Sequence, residues 1–217
     1  FNCTIAAPAT TCAVPGVAYK TDYTFKVTAV NAAGNSPASN ASSPVNLVLA
    51  QKITFNAIAD KLISDASLVL SASTTSGLAI TYTSNSATIC SVAGNTVTFI
   101  KAGTCSITAS QSGAGSRYSA ALSVTQTFAI AAIAPTAPTL TTAEPGAFRI
   151  VATWVAPSDL GGSTLKQYII SYGERSDFAD ENQFTSTNLS ESIGGLLQQH
   201  KYRIRVAAVS DANLTSD

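Results

Sequence analysis

Methionine is absent from this chain, tryptophan and histidine occur once each, and only 11% of its 217 residues are charged. An average globular domain carries roughly 25% charge, so Ser, Thr and Asn must make this surface compatible with water. Twelve basic and twelve acidic residues cancel. With no chain-wide field to gather phosphates, nucleic acid is not an expected partner. No window approaches 18 uninterrupted apolar residues, so no membrane insertion is expected in this segment. The opening residues Phe1 to Thr4 lack the charged-then-apolar order of a signal peptide, and an export signal is expected to lie upstream or to have been removed. The single histidine, His200, precedes Lys201 and Tyr202 in an expected turn, with no Ser or Cys nucleophile and orienting carboxylate beside it. It reads as a solvated loop residue. The chain is therefore expected to be non-catalytic and to need no cofactor.

What is abundant is strand-forming sequence. Hydrophobic residues make up 46% of the chain, and Val, Ile, Thr, Tyr and Phe recur in short alternating runs broken by Gly, Pro, Asn and Ser. No convincing helical period is present. The best helix candidate, Ala57 to Ile63, is short and runs into Ser64 and Asp65, so a bend between strands is expected there. Self-alignment brings Tyr23 to Val30 (YTFKVTAV) onto Tyr202 to Val209 (YRIRVAAV). Two copies of one strand are present. Period-2 alternation puts Tyr23, Phe25, Val27 and Ala29 on one face of the first copy, and Tyr202, Ile204, Val206 and Ala208 on one face of the second. The copies lie 179 residues apart (202 minus 23), about two sandwich-module lengths, so a different module is expected between them. One boundary is placed near Ser43 to Ala50. The other is the segment from Ala132 to Pro138, where Pro135 and Pro138 cannot donate to a ladder and stiffen the hinge.

From Pro138 onward the residues resemble a fibronectin type III domain. Ala152 to Pro157 (ATWVAP) fits the family's Trp-bearing strand, Ser158 to Ser163 (SDLGGS) the loop after it, and Gln167 to Tyr172 (QYIISY) the next strand. Leu196, six residues before Tyr202, fits the tyrosine corner, in which the phenol hydroxyl ties the turn to the backbone. Gly16, Val17, Tyr23 and the run Asn31 to Pro37 (NAAGNSP) resemble only the last two strands of the same domain. The middle of the chain resembles the bacterial immunoglobulin-like repeats of large adhesins, through Gln51 to Phe55 (QKITF), Gly77 to Ser84 (GLAITYTS), Cys90, Gly103 to Ala109 (GTCSITA) and Tyr118. These resemblances imply an all-β chain of tandem immunoglobulin-like/fibronectin type III β-sandwiches joined by short linkers. The implied division is 1–49, the C-terminal part of a fibronectin-like module; 50–132, an immunoglobulin-like module; and 133–217, a fibronectin-like module stopping before its last strand.

Four cysteines are the most specific chemical feature. Cys3 and Cys12 bracket a turn-rich segment, and Cys90 and Cys105 flank a hairpin with Gly94 and Asn95 at its turn. Pairing within each module is the expected assignment. Free structural thiols and a metal site are the alternatives, although zinc would want four ligands at CxxC-like spacing. Disulfides would imply an oxidising compartment, hence an extracellular or cell-surface location. Asp177, Asp180 and Glu181 form the densest acidic cluster and are weak calcium candidates, lacking the regular oxygen spacing of a calcium loop. Asp60 and Asp65 are weaker still. Trp154, with Tyr168 and Tyr172, could form an aromatic sugar platform, but the resemblance places Trp154 in the core with Tyr23, Tyr202 and Leu196. Arg203 and Arg205 project together from one sheet face near Lys166 and Lys201, and read as a solvated strip. Sequons at Asn2, Asn40, Asn188 and Asn213 suit glycosylation only in a secretory pathway that performs it.

The expected function is structural: a repeat segment of a large bacterial extracellular protein, in a surface layer, filament or stalk. Neighbouring copies or modules of the same protein are its expected partners. Two rivals stand beside it on the same fold. One is an adhesin segment contacting a host protein or glycan, and the other is an accessory region of a secreted polysaccharide hydrolase.

Overall fold

Where a β-branched or aromatic residue alternates with a polar one, the chain is extended, and where Gly, Asn or Ser interrupts the pattern it turns. In this computed structural model, which describes residues 1–18, 21–115, 117–175 and 181–217, every regular element among them is a strand. Residues Ala57 to Asp60 take no regular form, and Lys61–Leu62 pairs in parallel with Ile130 and Ala131. The chain forms two compact units. One comprises residues 1–56, 71–82 and 108–125, and the other 57–70, 83–107 and 126–217.

In the first unit, Asp22–Tyr23 pairs antiparallel with Val45–Asn46, and Val30–Asn31 forms a hairpin with Gly34–Asn35. Asn31 shapes that turn by accepting the Ala33 N–H at 2.8 Å, a local side-chain bond of the kind that favours Asn in turns. The residues between are extended, but their ladder is irregular. Residues 25, 27 and 29 advance by two while their partners Ser42, Ser39 and Ser36 advance by three. The N–H groups of Phe25, Val27 and Ala29 donate to the hydroxyls of Ser42, Ser39 and Ser36, each at 3.0 Å. The serine N–H groups donate back to the carbonyls of Phe25, Val27 and Ala29 at 2.8–2.9 Å. A hydroxyl thus replaces the carbonyl acceptor of an ordinary ladder, because the extra residue on one side moves that carbonyl out of reach. The expected alternation is present here without the expected burial: Phe25 is 41% exposed and Val27 74%. Elsewhere in this unit, Ile53–Phe55 pairs with Ala72–Thr74, and buried Phe55 meets Tyr82 edge-to-face at 5.7 Å. Gln51 ties segments together by donating to Gln111 and to the Ser119 carbonyl while accepting from Ser76.

In the second unit, Cys90–Ala93 and Thr96–Phe99 form a hairpin extended by Leu68–Val69. Gly94, at φ 62°, supplies the left-handed backbone that a two-residue turn of this kind requires. Strand Gly103–Ser110 alternates in burial, with Cys105 and Ile107 inside. Residues 139–217 build a sandwich from two three-stranded sheets. One has Arg149–Val155 between Thr139–Gly146 and Ser190–Gly194, and the other has Leu165–Gly173 between Asn182–Ser186 and Arg203–Ser210. Their inner faces meet at Ala152, Trp154, Tyr168, Ile170, Ile193, Leu196, Val206 and Ala208. Trp154 and Tyr168 pack edge-to-face at 5.5 Å, the geometry favoured by aromatic quadrupoles. The residues after Ser210 turn back, so that Thr215 bridges Val209 and the Ser216 N–H reaches the Ala208 carbonyl at 2.9 Å. An isolated antiparallel bridge thus forms on the Val209 side of that strand.

The loop from Ser158 to Ser163 is fixed from several sides. Thr136 and Ile133 donate backbone N–H groups to Asp159 and Gly161, at 2.9 and 3.1 Å, and Ala102 donates to Gly162 at 2.9 Å. Asp159 turns its carboxylate onto the Gly161 N–H at 2.8 Å. Gly161 is buried at φ +64°, and a Cβ there would lie 2.0 Å from the Ile133 carbonyl oxygen. Left-handed backbone alone costs an alanine about 1–2 kcal/mol. Gly77 has a similar φ of +73° in open space. In urea unfolding, Gly161→Ala is expected to lose clearly more stability than Gly77→Ala; equal losses would mean that the loop yields freely.

Candidate functional site

The tyrosine corner appears in both copies of the repeated strand. The Tyr23 hydroxyl accepts the Ala18 N–H at 2.8 Å, and the Tyr202 hydroxyl accepts the Leu197 N–H at 3.0 Å, five residues back in each case. Tyr202 packs against a core that includes Leu196, 7% exposed, and Trp154, 2% exposed. Trp154 is thus not on a sugar-binding surface. Tyr23 is half-buried, with its ring edge-to-face with Phe1 at 5.9 Å.

Cys3 is bonded to Cys12 across a Cα separation of 6.1 Å, and Cys90 to Cys105 across 5.8 Å. Both Cα distances lie in the usual disulfide range. Cys90 and Cys105 are fully buried, whereas Cys3 and Cys12 lie in an exposed segment.

The polar candidates are engaged with neighbours. His200 lies 3.0 Å from Glu174 on the surface, and Arg205 pairs with Glu181 at 2.7 Å. Gln183 also donates to Glu181, so this member of the acidic cluster is held by a cation and an amide. Asp177 and Asp180 lie outside the described residues. Among the described residues, no group of three His, Cys, Asp or Glu could hold a metal ion. Asp60 accepts the Ala129 N–H at 2.7 Å and Asp65 the Leu62 N–H at 2.9 Å, so both carboxylates fix backbone. In the basic strip, Lys166 donates to Asn213 at 2.7 Å, while Lys201 and Arg203 are exposed.

Two surface depressions lie on the sandwich of residues 139–217. The first, about 360 Å³, is lined by Gln167, Thr185, Ser186, Thr187, Asn188 and Glu191. Glu191 accepts from Ser186 at 2.6 Å and from Asn188 at 2.7 Å. These two hydrogen bonds, the Ser186 bond foremost, hold its carboxyl below the usual carboxylate range. The second, about 550 Å³, is lined by Leu140, Ala143, Ile150, Tyr202, Arg203, Ile204 and Arg205. It runs between the edge strands Thr139–Gly146 and Arg203–Ser210. Neither was legible as a site in the sequence. Nor were the serine hydroxyls at 36, 39, 42 and 216 that complete edge strands, although the spacing Ser-x-x-Ser-x-x-Ser at 36–42 is a usable signal.

A carboxyl whose pKa is depressed by folding stabilises the fold fully above its unfolded value of about 4.3. That stability is lost as pH falls through the folded value. Glu191→Gln is therefore expected to lower the urea midpoint slightly at pH 7, with the difference from wild type shrinking below pH 4. A difference that grew on acidification would contradict the two hydrogen bonds.

No protein-family model and no curated protein matches the chain. Among solved structures, a fourth fibronectin type III domain from a human protein aligns at 22% identity and TM-score 0.33, over 40% of this chain and 74% of that one. A multi-domain crystal structure from titin aligns at 15% identity and TM-score 0.33, over 90% of this chain and 71% of that one. The FN1–FN3 domains of chicken CNTN1 align at 16% identity and TM-score 0.34, over 90% and 72%. The sandwich fold rests on the strand pairing and shared core described above.

Proposed function

We propose that the chain is a non-catalytic structural repeat segment of a large bacterial extracellular or cell-surface protein, organised as modules 1–49, 50–132 and 133–217. In this reading the modules act as spacers that hold a defined separation. The observation that carries it is the loop at 158–163, which receives backbone N–H groups from Ala102, Ile133 and Thr136 and has no room for a side chain at Gly161. Hydrogen bonds on both sides of Pro135, itself buried, suit a junction that resists bending. Two bonded cysteine pairs suit a chain working in an oxidising medium.

A stiff spacer should show one interdomain distance. With spin labels at exposed Leu62 and Leu189, electron-electron resonance is expected to give a single narrow distribution that Gly161→Ala broadens. A broad wild-type distribution would defeat the spacer reading. Glycan and host-protein arrays separate it from the adhesin alternative: tight, saturable binding by the intact chain would favour adhesion.

A further inference from the structure

At one side of the sandwich of residues 139–217, the strands Asn182–Ser186 and Ser190–Gly194 each form the edge of their own sheet. The turn between them, with Gln167 from the neighbouring strand, borders the depression of about 360 Å³ lined by Gln167, Thr185, Ser186, Thr187, Asn188 and Glu191. Every one of these side chains carries a polar group, and none is a cation. Gln167, Ser186 and Glu191 are half-buried. The turn is held at several points. The Ser186 hydroxyl accepts the Asn188 N–H at 2.9 Å and donates to Glu191 Oε1 at 2.6 Å, while the Asn188 side-chain amide donates to the same oxygen at 2.7 Å. Beyond it, the Leu189 carbonyl accepts the Trp154 N–H at 2.9 Å. Gln167 stands where the register of its strand against Arg203–Ser210 shifts, and irregularities of this kind re-aim a side chain. Among the described residues, no hydrogen bond engages Glu191 Oε2, the Gln167 amide or the hydroxyls of Thr185 and Thr187.

We propose that this depression is a saccharide site, taking one neutral sugar unit of a polysaccharide with a hydroxyl on Glu191 Oε2. The chemistry of the lining selects this class. An anion would meet the Glu191 carboxylate with no lysine or arginine to offset it. A calcium ion wants several charged oxygen ligands, and among the described residues no group of three His, Cys, Asp or Glu could hold a metal. An apolar ligand would strip water from the lining groups and pair none of them, which is costly. An ammonium group only donates, so it would leave the Gln167 N–H groups unmatched. A sugar hydroxyl both donates and accepts, as do the Gln167 amide and the threonine hydroxyls it would face. The bond to a carboxylate is charge-assisted, and the two hydrogen bonds on Oε1 fix that carboxylate before a ligand arrives, which lowers the ordering cost of binding. The volume falls at the low end of small-molecule sites, roughly 300–1,000 Å³. Because the depression is open to water, millimolar affinity for a single unit is expected, and successive units of a polymer would add to it through several modules at once. The inference does not depend on the spacer reading, which the distance measurement tests by itself.

The test titrates the methyl glycosides of glucose, galactose, mannose and N-acetylglucosamine, with methylammonium chloride and calcium chloride as controls, into the intact, isotopically labelled chain. At least one glycoside is expected to give saturable chemical-shift changes at the Gln167 side-chain amide and at the Thr187, Asn188 and Glu191 backbone amides. Glu191→Gln removes the charge and is expected to weaken that binding about tenfold. Thr187→Val replaces an exposed hydroxyl with a methyl group, leaves the carboxylate and its two hydrogen bonds in place, and is expected to weaken it about fivefold. An unchanged indole resonance of Trp154, the single tryptophan, shows that each variant keeps its core. The proposal is overturned if no glycoside moves these resonances, if methylammonium or calcium moves them at lower concentration than any glycoside, or if both variants bind as the wild type does.

Discussion

An edge strand must give its backbone N–H and C=O groups to something, and this chain meets that requirement with almost no charged side chains. Edge strands are commonly protected by lysines, inward-pointing charges or bulges. Here serine hydroxyls at 36, 39, 42 and 216 receive the N–H groups that an ordinary partner strand would take with carbonyls. Carboxylates serve the same end at Asp60 and Asp65. The hydroxyl-rich composition is therefore structural chemistry as well as solvation, since it completes ladders whose register is broken.

Much of the sandwich was readable in the sequence because its alternation coincides with burial. Trp154, Tyr168, Ile170, Val206 and Ala208 fall on inward positions and are buried, and the Gly94–Asn95 turn lies between the strands it was expected to join. The repeat at 23–30 was equally readable as alternation, yet Phe25 and Val27 are exposed. Periodicity reports which residues share a face; whether another layer covers that face is a tertiary fact. The serine ladder was missed for a related reason. A ladder that counts two residues against three has no single period on both strands, and period-2 reading finds only one side of it.

The acidic candidates illustrate a different gap. Sequence places Glu181 near other acids, whereas the fold sets Arg205 against it at 2.7 Å. Likewise, Gly161 and Gly162 read simply as loop residues. Their significance lies in the backbone of Ile133 and the side chain of Ile63, which approach from distant parts of the chain. Close approach of this kind leaves no mark on composition.

The serine ladder also has a kinetic meaning. Its rungs join residues separated by 7, 12 and 17 positions, each enclosing the one before. Once the turn at Ala32 and Ala33 has closed, every later rung lengthens the loop by only five residues, so the entropy cost of each step is small. The segment can close like a zip, from its turn outward, on the microsecond scale of hairpins. Ser216 marks the first tooth of the same zip at the other end of the chain.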